Sequence, residues 1–295
     1  MAKDQEFGKK SVQILISSKK QKTISRSFSI VGKGLHYGRD TRVEVHPAKV
    51  DQGIVFQVFQ NHIDRIIPAH FNHLHSGNRN STLTKEGISL STVEHFLAAA
   101  WGVDIDNLLV KVEGEELPAG EGSSSFWTEK FNQVGYKEQE LNRTYYQIKE
   151  IIEVSDNGRY LLALPSNVFK VTYFLDYFFG SSFALCMTFS ENEEGFPRIA
   201  LARTFAFQDE INHIIQTGLG KGVRDTALII DEKGHSNKTF HIEGEPVYHK
   251  IIDLIGDLML IGHRVVGHFI GIRSGHSMNH QMVKLVAKKA RLFNE

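Results

Sequence analysis

His249, Asp253 and Asp257 follow one another at steps of four within Tyr248-His249-Lys250-Ile251-Ile252-Asp253-Leu254-Ile255-Gly256-Asp257. In an α-helix each such step turns the chain by about 400°, so the three side chains share one face. Ile251, Ile252, Leu254, Ile255, Leu258, Met259 and Leu260 cover most of the remaining circumference, and a helix that apolar belongs in a core. Two carboxylates and an imidazole are costly to bury without partners, and a divalent cation would satisfy them. A surface His–Asp ion pair is the competing reading. Its order opposes the helix dipole, which favours the acid on the N-terminal side. A metal site would still need ligands from elsewhere in the chain.

Ser91-Thr92-Val93-Glu94-His95 opens a helix rich in Leu and Ala. Ser91 and Glu94 fit a capping box, which accounts for Glu94 but not for His95. A Glu-His pair at a helix start equally suits a catalytic base beside a metal ligand, and both readings stand. His36 lies in the turn Gly32-Lys33-Gly34-Leu35-His36-Tyr37-Gly38, which lacks the spacing and the Gly-Lys-Ser/Thr ending of a phosphate loop. His70, His73 and His75, set among Asn72, Ser76, Gly77 and Asn78, read as a polar loop rather than a ligand cluster. His276, in Ser274-Gly275-His276-Ser277, ends a buried strand over 268–273. Catalytic and ordinary turn residues both occupy such ends.

The elements that must position these residues fall into two halves. Strands are expected at 26–31, 41–46, 53–59 and 108–113, with helices from 91 and over 125–134. The second half predicts a hairpin of 145–154 with 159–164 around Asp156-Asn157-Gly158. Strands at 169–177 and 183–189, the helix of the polar stripe and a closing helix over 279–292 follow. A strand–helix–strand insert is expected near 205–230. Polar residues over 137–143 mark the boundary between domains at 23–142 and 143–295. The fold class is α+β: two similar domains, each a sheet with helices on one face, and the helices sandwiched between the sheets.

Composition narrows the functions. With 34 Lys and Arg against 34 Asp and Glu, the formal net charge is zero, which argues against a binder that neutralises nucleic-acid phosphates. Fifteen histidines keep metal chemistry open, while the single Cys186 excludes an intramolecular disulfide and a Cys-cluster zinc site. No apolar run approaches the ~20 residues of a transmembrane helix. The polar, basic residues 1–22 contain an apolar patch, 12–16, too short for a signal-peptide core. They read as a flexible extension, and the protein as cytoplasmic and monomeric.

Taken together, the chain resembles the zinc-dependent UDP-3-O-acyl-N-acetylglucosamine deacetylases of lipid A biosynthesis. The resemblance rests on Gly34-Leu35-His36-Tyr37-Gly38, Ser91-Thr92-Val93-Glu94-His95, Ile105-Asp106-Asn107 and Ala202-Arg203-Thr204-Phe205, with the stripe from His249 to Asp257 and Ser274-Gly275-His276-Ser277-Met278-Asn279. These run in family order from about residue 23 to the C-terminus. The resemblance implies His95, His249 and Asp253 as ligands of zinc, with Fe2+ as the alternative metal. It implies Glu94 as general base, Thr204 as oxyanion donor, and His276, oriented by Asp257, as the acid. Lys250 would meet the nucleotide phosphates, Phe205 would border the acyl passage, and Leu35 and His36 would lie near the mouth. The implied reaction releases acetate from the substrate, UDP-3-O-acyl-N-acetylglucosamine.

Four segments depart from the family pattern. Leu175-Asp176-Tyr177-Phe178-Phe179-Gly180 replaces an Asn/Asp-His-Pro-containing stretch, and Tyr248 replaces an Arg. Gly222-Val223-Arg224-Asp225 replaces Gly-Gly-Ser, and Pro118-Ala119-Gly120-Glu121-Gly122-Ser123 replaces Pro-Ile-Met-Asp-Gly-Ser. None removes a ligand or catalytic side chain; all bear on acyl length and sugar preference. The rivals are deacetylation of another N-acetyl sugar and an inactive nucleotide-sugar-binding paralogue. Retention of Glu94, Thr204, Asp257 and His276 speaks against the second.

Overall fold

The computed structural model describes residues 11–291 apart from 76–78, 180, 194, 217 and 223–225. β1 (Val12–Ile24) leads into β2 (Phe28–Lys33), β3 (Asp40–Pro47), β4 (Ile54–Gln60) and β5 (Ile63–Pro68). A small sheet follows, of β6 (Leu74–His75), β7 (Thr82–Lys85) and β8 (Ile88–Leu90). After α1 (Glu94–Gly102) the chain returns as β9 (Leu108–Glu113), and α2 (Ser125–Val134) closes the first half. The main sheet has the order β2-β3-β9-β4-β5, with β4 and β9 parallel. In β3, Thr41, Val43 and Val45 are buried and Arg42 is exposed, so one face is apolar and takes the helices. Phe96 of α1 packs on Phe56, and Phe131 of α2 on Phe28.

β10 (Tyr136–Ile148) crosses into the second half. There β11 (Ile152–Asp156), β12 (Arg159–Leu164), β13 (Lys170–Phe179) and β14 (Ser181–Ser190) precede a helical stretch. That stretch holds α3 (Phe196–Ile199) and an insert of β15 (Phe205–Phe207), α4 (Gln208–Gln216) and β16 (Leu228–Ile230), whose strands pair in parallel. α5 (Glu245–Met259), β17 (Arg264–Val266), β18 (His268–Ile272) and α6 (His276–Arg291) complete it. The second sheet has the order β11-β12-β18-β13-β14, with β13 and β18 parallel. Counting only the strands of each sheet in chain order, both sheets run first, second, fifth, third, fourth. α5 and α6 pack on the second sheet and α1 packs along α5, so helices fill the space between the sheets. The expected α+β architecture is the one observed.

Gly256 sets how closely α1 and α5 approach. A Cβ there would lie 2.1 Å from the backbone oxygen of Glu94, so only glycine permits this contact.

Several local expectations are corrected. The stretch 1–22 is not wholly a flexible extension: Val12–Ile24 is a strand along β10 with Val12, Thr23 and Ile24 buried, and residues 1–10 lie outside the described part. Residues 137–143, the expected boundary, form part of β10. They are polar because most face solvent, while buried Arg143 pairs with Asp104 and Asp106. The strand expected over 145–154 is two, β10 and β11. The hairpin turn holds: Asn157 and Gly158 both have positive φ, as a type I′ turn requires. Ser91 does not cap α1. It bridges to Glu116, Thr92 takes φ 59°, and the helix starts at Glu94 with Val93 as its N-cap. The local account of Glu94 therefore fails.

Candidate active site

α5 carries His249 and Asp253 one turn apart, and the start of α1 brings His95 against them. Their rings are edge to face at 4.9 Å between centroids. Asp253 Oδ1 lies 3.5 Å from His95 Nε2 and 3.4 Å from His249 Nε2, longer than the usual N–H···O bond of about 2.7–3.2 Å. All three side chains are buried, and Asp253 Oδ1 has no hydrogen-bond partner. His249 Nδ1–H donates to the Ala202 carbonyl at 3.0 Å, which leaves the Nε2 lone pair facing His95 and Asp253. Burial lowers the His249 pKa to about 4, against the pull of Asp253, so the ring is a neutral donor. Two imidazoles around an orphaned carboxylate oxygen form a donor set that fits a divalent metal.

Lys250 Nζ bonds the other oxygen of Asp253 at 2.5 Å. Burial opposes ionisation of Asp253, but Lys250, His249 and His276 hold its pKa well below the usual range.

Glu94, buried beside His95, accepts the Ser81 N–H on Oε2 at 3.0 Å. Burial pushes its carboxyl pKa up, against the pull of His276 and His95, which makes it a better proton acceptor than an exposed glutamate. Across the site His276 Nδ1 donates to Asp257 Oδ2 at 2.9 Å, and its Nε2 lies 3.6 Å from Asp253 Oδ2. Burial disfavours the imidazolium, yet Asp257 and then Asp253 outweigh it and hold the pKa up to about 9. His276 is the first residue of α6, where the chain leaving β18 enters the helix.

Glu94, His95, His249, Asp253 and His276 line one cavity of about 440 Å³ with Thr204, Phe205, Leu35 and Lys250. Thr204 is fixed by its main chain, which donates to Gly122 O at 2.7 Å and accepts from Leu228 N at 2.8 Å. Phe205 sets its ring edge-on to His249, 6.3 Å between centroids. His36 is buried with neither ring nitrogen bonded; burial and then the charges of His276 and His95 lower its pKa to about 4. Among the described residues, His70, His73 and His75 join no group close enough to hold a metal; the segment is not a plain loop, since Phe71–His73 forms a short 3-10 helix and His75 ends β6.

Residue order alone did not bring out four contributors. Glu116 accepts from the backbone of His36 and Tyr37 and from the Thr92 hydroxyl, at 2.8, 2.9 and 2.9 Å, and so shapes the loop beneath Leu35. Glu245 receives Arg203 Nε at 2.7 Å and Arg203 N at 2.9 Å, tying the Thr204 segment to the start of α5. Ser81 and His280 bond each other beside Asp257. Only Glu245 has a local signal, an acid before Pro at a helix start, and that signal does not name Arg203.

A sequence profile of the UDP-3-O-acyl N-acetylglycosamine deacetylase family matches residues 21–288. The chain belongs to this family. A UDP-3-O-acyl-N-acetylglucosamine deacetylase of Aquifex aeolicus is 36% identical over 281 residues, covering 93% of this chain and 95% of its own. One from Chlamydia pneumoniae is 34% identical over 282 residues, covering 92% and 98%. Within this deacetylase framework one departure, Tyr248, has a visible setting. Tyr248 is buried, with the Arg198 guanidinium 5.7 Å above its ring. Gly122 abuts Thr204, where a Cβ would lie 2.9 Å from Thr204 Cγ2. Residues 223–225 lie outside the described part. No helix among the described residues is long and apolar enough to cross a membrane.

Proposed function

We propose that this chain hydrolyses the acetamide of UDP-3-O-acyl-N-acetylglucosamine, giving acetate and the free 2-amine, as the names of its relatives state for them. The observation that carries this is one cavity in which His95, His249 and Asp253, with an orphaned Oδ1, stand between Glu94 and the Asp257–His276 pair. Bound by those three residues, zinc would supply a Lewis acid that polarises the amide carbonyl and activates water. Fe2+ accepts the same donors. Glu94 takes the proton as water adds to the amide carbon. The Thr204 hydroxyl donates to the developing oxyanion. His276, cationic beside Asp257, gives its proton to the departing amine. Lys250, Arg159 and Arg273 line the same cavity and suit the diphosphate. Phe205 and Leu35 offer an apolar wall to the acyl chain. His36, next to Leu35 in the chain, is buried and neutral.

One chain supplies every residue of this site, which suits a monomer. A nucleotide-sugar substrate and a lone cysteine fit a cytoplasmic enzyme.

The test is acetate release from UDP-3-O-acyl-N-acetylglucosamine by purified protein, before chelation, after it, and after zinc return. Activity should disappear and come back, and Glu94→Ala should keep the metal while losing about 100-fold or more in kcat. Turnover indifferent to chelation sinks the mechanism. Equal turnover on a substrate without the 3-O-acyl chain sinks the substrate assignment.

A further inference from the structure

Ser81 stands between the two ends of the site. It lies immediately before β7, fully buried, and neither metal ligation nor proton transfer calls on it. Its backbone N–H donates to Glu94 Oε2 at 3.0 Å. Its hydroxyl donates to Asp257 Oδ1, and His280 Nε2 meets the same hydroxyl oxygen at 2.6 Å. Asp257 Oδ2 is taken by His276 Nδ1 and by Asn279 Nδ2, each at 2.9 Å. One residue therefore touches the carboxylate of the proposed base and the carboxylate that orients the proposed acid.

The arrangement restricts what Asp257 can do. A carboxylate free to rotate could offer either oxygen to His276, at a changing angle. With Oδ1 engaged by the Ser81 hydroxyl, and Oδ2 shared between Asn279 and His276, the carboxylate is held with Oδ2 aimed at Nδ1. That fixes the tautomer and direction of His276, so its Nε2 faces the cavity. With the Ser81 hydroxyl proton given to Asp257 Oδ1, the His280 tautomer that carries its proton on Nε2 donates to the Ser81 oxygen and holds the hydroxyl in that direction. On the other side, the Ser81 N–H bonds Glu94 Oε2, which leaves Oε1 to receive a proton.

We propose that Ser81, with His280 behind it, is a positioning residue that fixes the base Glu94 and the acid pair Asp257–His276 in one frame. The inference rests on the deacetylase reading for its kinetic consequence but not for its geometric one. A hydrogen bond to a charged partner contributes about 1.5–3 kcal/mol, so losing the Ser81 hydroxyl should cost about 10- to 100-fold in kcat.

The experiment compares wild type, Ser81→Ala and Ser81→Thr as intact, zinc-loaded protein. Four quantities are read: kcat, KM, zinc affinity by chelator competition, and the low-field NMR resonance of the His276 Nδ1 proton without substrate. In Ser81→Ala we expect kcat to fall about 10- to 100-fold with KM and zinc affinity within about twofold of wild type, and the Nδ1 proton resonance to broaden or vanish. Ser81→Thr, which keeps a hydroxyl, should recover most of the rate and the resonance. Wild-type kcat in Ser81→Ala, or a Thr variant as impaired as Ala with an unchanged melting temperature, overturns the proposal. So does loss of zinc in Ser81→Ala, which would assign Ser81 to the ligands. If the wild type itself turns over no substrate, the functional reading fails alone. The NMR comparison then decides the positioning role, an unchanged resonance in Ser81→Ala counting against it.

Discussion

Gly256→Ala is the substitution that separates helix propensity from packing in this protein. In an exposed helix the change stabilises by about 1 kcal/mol, because alanine is the better helix former. Here the added methyl would lie 2.1 Å from Glu94 O, 2.7 Å from Glu94 C and 2.9 Å from Glu94 Cα. All three are main-chain atoms, so no rotamer change relieves the clash. An ordinary C···O contact is about 3.3 Å, so α1 must retreat from α5 by about 1 Å. Overpacking of this kind costs about 1–3 kcal/mol, and the backbone nature of the obstacle places it at the upper end. After the propensity gain the net loss is about 2 kcal/mol, a fall of about 4 °C in melting temperature. The retreat also carries Glu94 and His95 away from His249 and Asp253. A misplacement of about 1 Å can cost about 100-fold in rate. Calorimetry and acetate release on the same zinc-loaded preparation measure both. A variant as stable as wild type with unchanged kcat would show that the helix crossing does not set the site.

Two further outcomes follow from buried charge. In metal-free protein the His276 pKa, held up to about 9 against an unperturbed value of about 6.5, favours the folded state while the ring is protonated. That stabilisation is complete below about pH 6.5, is lost as pH rises through about 9, and is on the order of 3 kcal/mol. The difference in urea midpoint between wild type and His276→Gln should shrink over that window, and a constant difference would refute it. Glu245→Ala strips buried Arg203 of its carboxylate and should destabilise by about 3–5 kcal/mol. Arg203→Met with Glu245→Leu should recover much of it, since an apolar pair replaces a buried ion pair at little cost. A double variant no more stable than the single one would contradict that account.

The stripe on α5 is legible because helix period and polarity are local properties. His249 and Asp253 stand four apart in any α-helix, and the apolar residues around them require burial. β9 and α2 are legible for the same reason, and their observed bounds, Leu108–Glu113 and Ser125–Val134, are the expected ones. β1 was hidden because its burial is confined to its ends: Val12 and then Gln21, Thr23 and Ile24 are buried, while Ile14 and Ile16 are exposed. No periodic pattern survives in such a strand, and what holds it is the ladder to β10. The capping box misled for another reason. Ser91 and Glu94 have the right types and spacing, but Thr92 adopts φ 59°. The chain therefore turns too sharply for Ser91 to reach the helix start. A β-branched residue in that region is strained, and its hydroxyl is held by Glu116, a partner 24 residues away.

The same contrast explains why half of the site could be read and half could not. The two halves have no evident sequence repeat, yet their sheets share one strand order and one parallel pair. Alternating burial is satisfied by many sequences, so topology can match where residues do not. α1 leads into the central strand β9, and α5 stands before the central strand β18, so the two helices hold matching places. The group that could hold a metal forms where these helices cross. Neither half alone contains His95, His249 and Asp253, so neither alone can satisfy the orphaned oxygen of Asp253. Residues on one helix announce themselves through spacing. Glu94 beside Gly256, and Ser81 beside Asp257, are neighbours only because α1 and β7 are pressed onto α5, and that contact is a property of the packed layers.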